Sequence, residues 1–164
     1  MEKWNLYDHQ GILTEKIHVR GKPIPEGFYH LVIHVWLIDE KGRYLIQKRS
    51  QSLNFQPGIW AATGGSAIVG ESSLDAVIRE TREELGINLS PSALNLITRF
   101  QRTTHFLDLW RAPITSDLQH YFKPTDEVDA ISFKYPEEIS EMIRNGSFYS
   151  YNSDYFDAVG IFVK

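Results

Sequence analysis

Residues 64–87 read GGSAIVGESSLDAVIRETREELGI, and this stretch decides the fold. From residue 72 to 86 the apolar residues recur at helical spacing, with Ser72 or Ser73 as the N-cap and Gly86 as the stop. On a wheel of about 100° per residue, Leu74, Val77, Ile78, Thr81 and Leu85 share one arc, which predicts a core-facing side. Glu80, Glu83 and Glu84 fall on the adjacent arc, because positions three and four apart are neighbours on a helix surface. Three carboxylates so placed repel one another. An acidic helix face usually points to water, here with Arg79 and Arg82 as ion-pair partners. The preceding Thr63-Gly64-Gly65 favours a different reading, in which the carboxylates meet a divalent cation. Glycine has no Cβ to keep a ligand from the backbone, and magnesium takes oxygen ligands while retaining waters and substrate phosphates.

Outward from this segment, the pattern predicts strands at 3–8 and 12–19, joined by a hairpin turn at Asp8-His9-Gln10-Gly11. A second and stronger hairpin is expected from Tyr29–Ile38 and Arg43–Lys48 around Asp39-Glu40-Lys41-Gly42. A short strand at Ile59–Thr63 leads into the glycines, which read as a loop. Further strands are expected at about 94–103, 105–112 and 130–135, followed by a helix from Pro136 to Asn145 and a tail rich in Tyr and Phe. Few helices mixed among strands in this order imply an α/β or α+β sandwich with a mixed β-sheet.

The chain has 164 residues, 42% of them hydrophobic and 23% charged, so it reads as one globular domain over 1–164 rather than a disordered segment. Net charge is −4 with no basic block, which argues against nucleic acid or an anionic membrane as partner. The absence of cysteine excludes disulfides, thiolate metal sites and cysteine nucleophiles. The start lacks the regions of a signal peptide, and no apolar run is long enough to span a bilayer, so a cytoplasmic location is expected.

Gly65, Glu71, Arg79-Glu80, Glu83-Glu84 and Gly86-Ile87 together resemble the signature of the Nudix hydrolase superfamily, over a box spanning 65–87. The one departure is Thr81, where an aliphatic residue is usual; it lies on the core arc, so it bears on packing. The resemblance implies an α/β/α sandwich whose box forms a loop-helix-loop. It also implies hydrolysis of a nucleoside diphosphate derivative or similar organic diphosphate, with Mg2+ or Mn2+ as cofactor. By the same resemblance Glu80 and Glu84 are principal metal ligands, and Glu83 is a further ligand or the base that prepares the attacking water. The Gly64 carbonyl is a backbone ligand, Arg79 orients the carboxylates, and Glu71 stabilises the loop. Family members often dimerise, so a homodimer is possible on this reading, with a small-molecule diphosphate as the partner that matters.

Beyond the box, Tyr29-His30-Leu31-Val32, Leu45–Ser50 and Pro57-Gly58-Ile59-Trp60 resemble the isopentenyl-diphosphate-isomerase-like branch of the superfamily. Isomerase activity is disfavoured, because Gly65 stands where that enzyme needs a cysteine and Ala67 where it needs a histidine. A non-catalytic nucleotide-binding module is the other alternative, although no polar position of the box is eroded. Arg49 reads either as a phosphate-contacting arginine of this branch or as a solvent-facing residue at a strand end. In the acidic loop Asp126-Glu127, Glu127 is the candidate for a further catalytic base or ligand, with Asp126 close behind. His30 and His34 read as packed polar residues. Trp36, Trp60, Phe100 and Trp110 read as core rather than as stacking platforms.

Overall fold

The computed structural model describes residues 1–163. Its strands are β1 (Lys3–Tyr7), β2 (Leu13–Val19), β3 (His30–Ile38), β4 (Tyr44–Arg49), β5 (Trp60–Ala61), β6 (Thr63–Ser66), β7 (Asn95–Gln101), β8 (His105–Pro113) and β9 (Val128–Lys134). Its helices are α1 (Ser73–Leu85), α2 (Leu118–Tyr121), α3 (Pro136–Arg144) and α4 (Ser153–Ala158). Strands β1 and β2 form the expected antiparallel hairpin. The other strands make one mixed sheet in the order β5-β4-β3-β8-β7, with β6 also on β3 and β9 also on β4. The pair β3–β8 is parallel, from His30 opposite His105 to Ile38 opposite Pro113.

Alternation along β3 builds two cores, because successive side chains leave a strand on opposite faces. Leu31, Ile33, Val35 and Leu37 pack on one side with Val77 and Leu85 of α1. Trp36 lies on the other, in a cluster with Ile46, Leu107, Leu109, Ile139 of α3 and Phe156 of α4. The result is the α/β/α sandwich expected from the sequence. Trp36 is fully buried, so truncating it to Ala would cost about 3–5 kcal/mol.

The hairpin expected of β3 and β4 is corrected by the structure. The two strands meet only at Ile38 opposite Tyr44 and then splay apart. Residues 60–66 enter the opening as a wedge. Trp60 and Ala61 pair with β4, whereas Thr63–Ser66 pair with β3. The single strand expected at 59–63 is therefore two short strands, with Ala62 crossing between them. Gly64 and Gly65 lie in β6, not in a loop. Glycine permits this because a Cβ on Gly64 would collide with the Ile33 carbonyl and the His34 ring. The tail also folds back over the sheet: Phe148 bridges to Trp60, and residues 153–158 form α4.

Candidate active site

Helix α1 starts on a reciprocal cap. Ser72 Oγ accepts from the Asp75 amide at 3.2 Å, and the Asp75 carboxylate accepts from the Ser72 amide at 3.0 Å. Gly86 ends the helix in the left-handed region at φ 72°, where glycine carries no steric cost. Val77, Thr81 and Leu85 are buried as the periodicity predicts. Thr81 fits its aliphatic position because its hydroxyl donates to the Val77 carbonyl at 2.8 Å within the helix.

Two of the three glutamates do not face water. Glu80 is 8% and Glu84 3% exposed, while the Glu83 side chain is 52% exposed. The Glu80 carboxylate rests on β6 so closely that a Cβ on Gly65 would strike it. Glu84 reaches the opening between β3 and β4, where it accepts the Gly64 amide at 3.2 Å. Strand alternation explains that amide. Ala67 N–H bonds to the Leu31 carbonyl, which makes the Gly64–His34 pair opposite it in phase, with its polar groups turned away from β3. The carbonyl of Gly64 shares that edge with its N–H. The Ser66 carbonyl, in the same phase, is taken there by Arg79 Nη2 at 3.0 Å.

Arg79 ties the acidic groups together. Its Nε meets Glu71 at 2.6 Å, and its Nη1 meets Glu80 at 2.9 Å and Glu83 at 3.0 Å. Glu71 also accepts the Ile68 amide at 3.0 Å, closing the turn before the helix. The guanidinium leaves Glu84 uncompensated. Desolvation pushes the Glu84 carboxyl up to about 8, and the charges of Glu80 and Glu127 push the same way. Desolvation likewise pushes Glu80 up to about 7, against the opposing pull of Arg79. Two buried carboxyls held this far above their ordinary range in one place mark a candidate functional site.

The pairing of β9 with β4 sets Glu127 beside the end of β4, and its charge adds to the upward push on both buried glutamates. It is exposed, and its backbone carbonyl takes the Ser50 amide at 2.8 Å at the end of β4. Arg49 is half-buried and donates to the Phe55 carbonyl at 3.0 Å. It lines a cleft of about 830 Å³ that also reaches Gly64, His30 and His34. His34 pairs with the Tyr155 hydroxyl at 3.0 Å, so the packed reading holds for it. His30 stacks on Trp4 at 4.2 Å between ring centres. Desolvation lowers both imidazoles, to about 4 for His30 and about 3 for His34, so they are neutral at physiological pH.

Sequence reasoning missed Gln47 and Tyr151. Gln47 is 2% exposed; it accepts from Thr63 Oγ1 at 2.9 Å, and its side chain opposes the upward push of burial on the Glu84 carboxyl. Its signal was present as one polar residue inside the buried run Leu45-Ile46-Gln47. Tyr151 offered no local signal, because the folding of the tail alone brings it here.

Comparison with known proteins agrees with this geometry. The family model for the NUDIX domain matches residues 28–152. The chain belongs to the Nudix family of hydrolases. An uncharacterized Nudix hydrolase of Listeria innocua is 34% identical over 92% of this chain and 90% of its own. An isopentenyl-diphosphate Delta-isomerase of Shigella flexneri is 36% identical, but over only 52% of this chain and 48% of its own. In structure, a Deinococcus radiodurans protein superposes with a TM-score of 0.76 at 19% identity, covering 98% of this chain and 99% of its own. Nudix hydrolases act on small molecules and generally use a divalent metal. Among the described residues no helix is long and apolar enough to cross a membrane.

Proposed function

We propose that this Nudix domain hydrolyses a diphosphate linkage in a nucleoside diphosphate derivative or a similar organic diphosphate, with Mg2+ or Mn2+ bound at the box. The observation that carries this reading is Glu84, a nearly buried carboxylate that accepts the Gly64 amide beside Glu80, while Arg79 is engaged by Glu71, Glu80 and Glu83. The donor chemistry suits magnesium, although among the described residues no three acidic or imidazole groups converge on one point while Arg79 holds Glu80 and Glu83. All the donor groups are oxygens, and magnesium is commonly held by one or two carboxylates with waters and phosphates completing the shell. Glu80 and Glu84 would be the principal ligands, with Glu83 and the Gly64 carbonyl beside them. When bound, such an ion neutralises phosphate charge and lowers the pKa of a coordinated water.

The chain's own residues supply the rest. Arg79 fixes Glu80 and Glu83, and Glu71 fixes Arg79, a supporting role whose loss commonly costs about 10- to 100-fold. Glu83 and Glu127 are the carboxylates left to take the proton of the attacking water. Arg49, at the cleft, would hold the phosphate on the far side. The isomerase reading is not favoured, since the chain has no cysteine.

The test is a panel of nucleoside diphosphate sugars, nucleoside triphosphates, dinucleoside polyphosphates and ADP-ribose, each with Mg2+ and with Mn2+. Metal-dependent product release that Glu84→Gln and Glu83→Gln reduce by orders of magnitude is expected. Binding without product by the wild type would point to a non-catalytic module. Unchanged turnover in both variants would refute the assignment.

A further inference from the structure

The tail carries a group that the reading above leaves unused. Where the chain crosses from β5 to β6, the Ala62 amide belongs to neither strand ladder and donates instead to the Tyr151 hydroxyl at 3.3 Å. The Tyr151 ring is fixed against Tyr149 and Tyr155, with centres 4.7 and 4.4 Å away, and meets His34 edge-on at 5.1 Å. Its neighbour Tyr155 has both sides of its hydroxyl engaged by protein: the oxygen accepts from Trp36 Nε1 at 2.9 Å, and the O–H faces His34 Nδ1 at 3.0 Å as its acceptor. Tyr151 differs. Its oxygen accepts one bond, and among the described residues its proton has no protein acceptor. The ring lines the same cleft as Arg49 and Gly64. The charges of Arg49 and Glu84 both reach the hydroxyl.

A rigid hydroxyl with a free proton, beside an arginine, is suited to an anionic oxygen. We propose that Tyr151 is a substrate-binding residue, its O–H donating to a non-bridging oxygen of the bound diphosphate. The C-terminal tail thereby completes the phosphate subsite. The assignment rests on the diphosphate reading above.

The experiment measures binding of methylenediphosphonate, a diphosphate analogue with a non-hydrolysable bridge, by calorimetry in the presence of Mg2+. The proteins are the wild type, Tyr151→Phe and Tyr155→Phe. Tyr151→Phe keeps the ring and removes only the hydroxyl, so its Kd is expected to rise about 10- to 100-fold, the range for a hydrogen bond to a charged group. Its melting temperature should also fall somewhat, because the Ala62 amide loses its acceptor, so it is the affinity and not the stability that separates the two variants. Tyr155→Phe, which removes a hydroxyl bound only to protein, should lower the melting temperature and leave the affinity alone. Equal affinity of wild type and Tyr151→Phe at any level, including no measurable binding by either, overturns the proposal. An equal loss in both variants overturns it too, because it would mark a packing effect. If the wild type binds the analogue through Tyr151 yet turns over no diphosphate, hydrolysis alone fails and the binding assignment stands.

Discussion

Replacing Glu84 with Gln should make the metal-free protein more stable at alkaline pH while removing its metal-dependent turnover. The change is nearly isosteric, and the amide oxygen can still accept from the Gly64 N–H that now bonds Glu84. What it removes is a charge at a side chain that is 3% exposed. Burial raises this carboxyl from 4.5 to about 8, which corresponds to about 5 kcal/mol of folding free energy against the ionised form. Because the folded value lies above the unfolded one, the folded state binds the proton more tightly. Stability is full below about 4.5 and is lost as pH rises through about 8. Local relaxation and water entry reduce such penalties, so about 2–3 kcal/mol is expected in practice, or roughly 5–10 °C in Tm for a chain of this size. The assay is thermal denaturation from pH 5 to 9 with a chelator. Wild-type Tm should fall across this window, and the Glu84→Gln curve should fall less and cross above it. Added Mg2+ should restore the wild type at high pH and do little for the variant. Parallel curves, or a variant less stable than wild type at pH 8.5 without metal, would refute the reasoning.

Gly65→Ala should impair the site while leaving the fold intact, because the new methyl meets the Glu80 carboxylate. Overpacking of this kind costs about 1–3 kcal/mol, and displacement of Glu80 should lower kcat well beyond tenfold; kcat near that of wild type would contradict the contact. Gln47→Leu removes the acceptor of Thr63 and the polar side chain that opposes the burial of Glu84. Mg2+ affinity by calorimetry should weaken about 10- to 100-fold, the usual effect of losing a group that orients a ligand. Unaltered affinity would show that Glu84 is held without it.

The site was legible in the sequence where its geometry is local. Glu71, Arg79, Glu80, Glu83 and Glu84 lie within one helix and the turn before it, so spacing alone brings them together. The cap at Ser72 and the stop at Gly86 were legible for the same reason. The β3–β4 splay was not. Both strands carry apolar residues on both faces, so their pattern suits several neighbours, and the wedge at 60–66 wins the pairing through contacts distant in sequence. Gln47 and Tyr151 belong to that long-range part. One is positioned by strand pairing and the other by a tail that returns from the far end of the chain. Glu127 was legible as an acid before a strand, but its nearness to the buried glutamates follows only from the pairing of β9 with β4.

The opening between β3 and β4 also bears on how this protein can adapt. A sheet zipped along the whole hairpin would bond every strand amide to another strand, and would be more cooperative and more heat-resistant. Here the Gly64 and Ala62 amides are withheld from that network and turned toward Glu84 and Tyr151. Substitutions that closed the seam would harden the fold and silence the reaction centre together. Adaptation to heat is therefore expected in the outer helices and the β1–β2 hairpin, while the seam stays open.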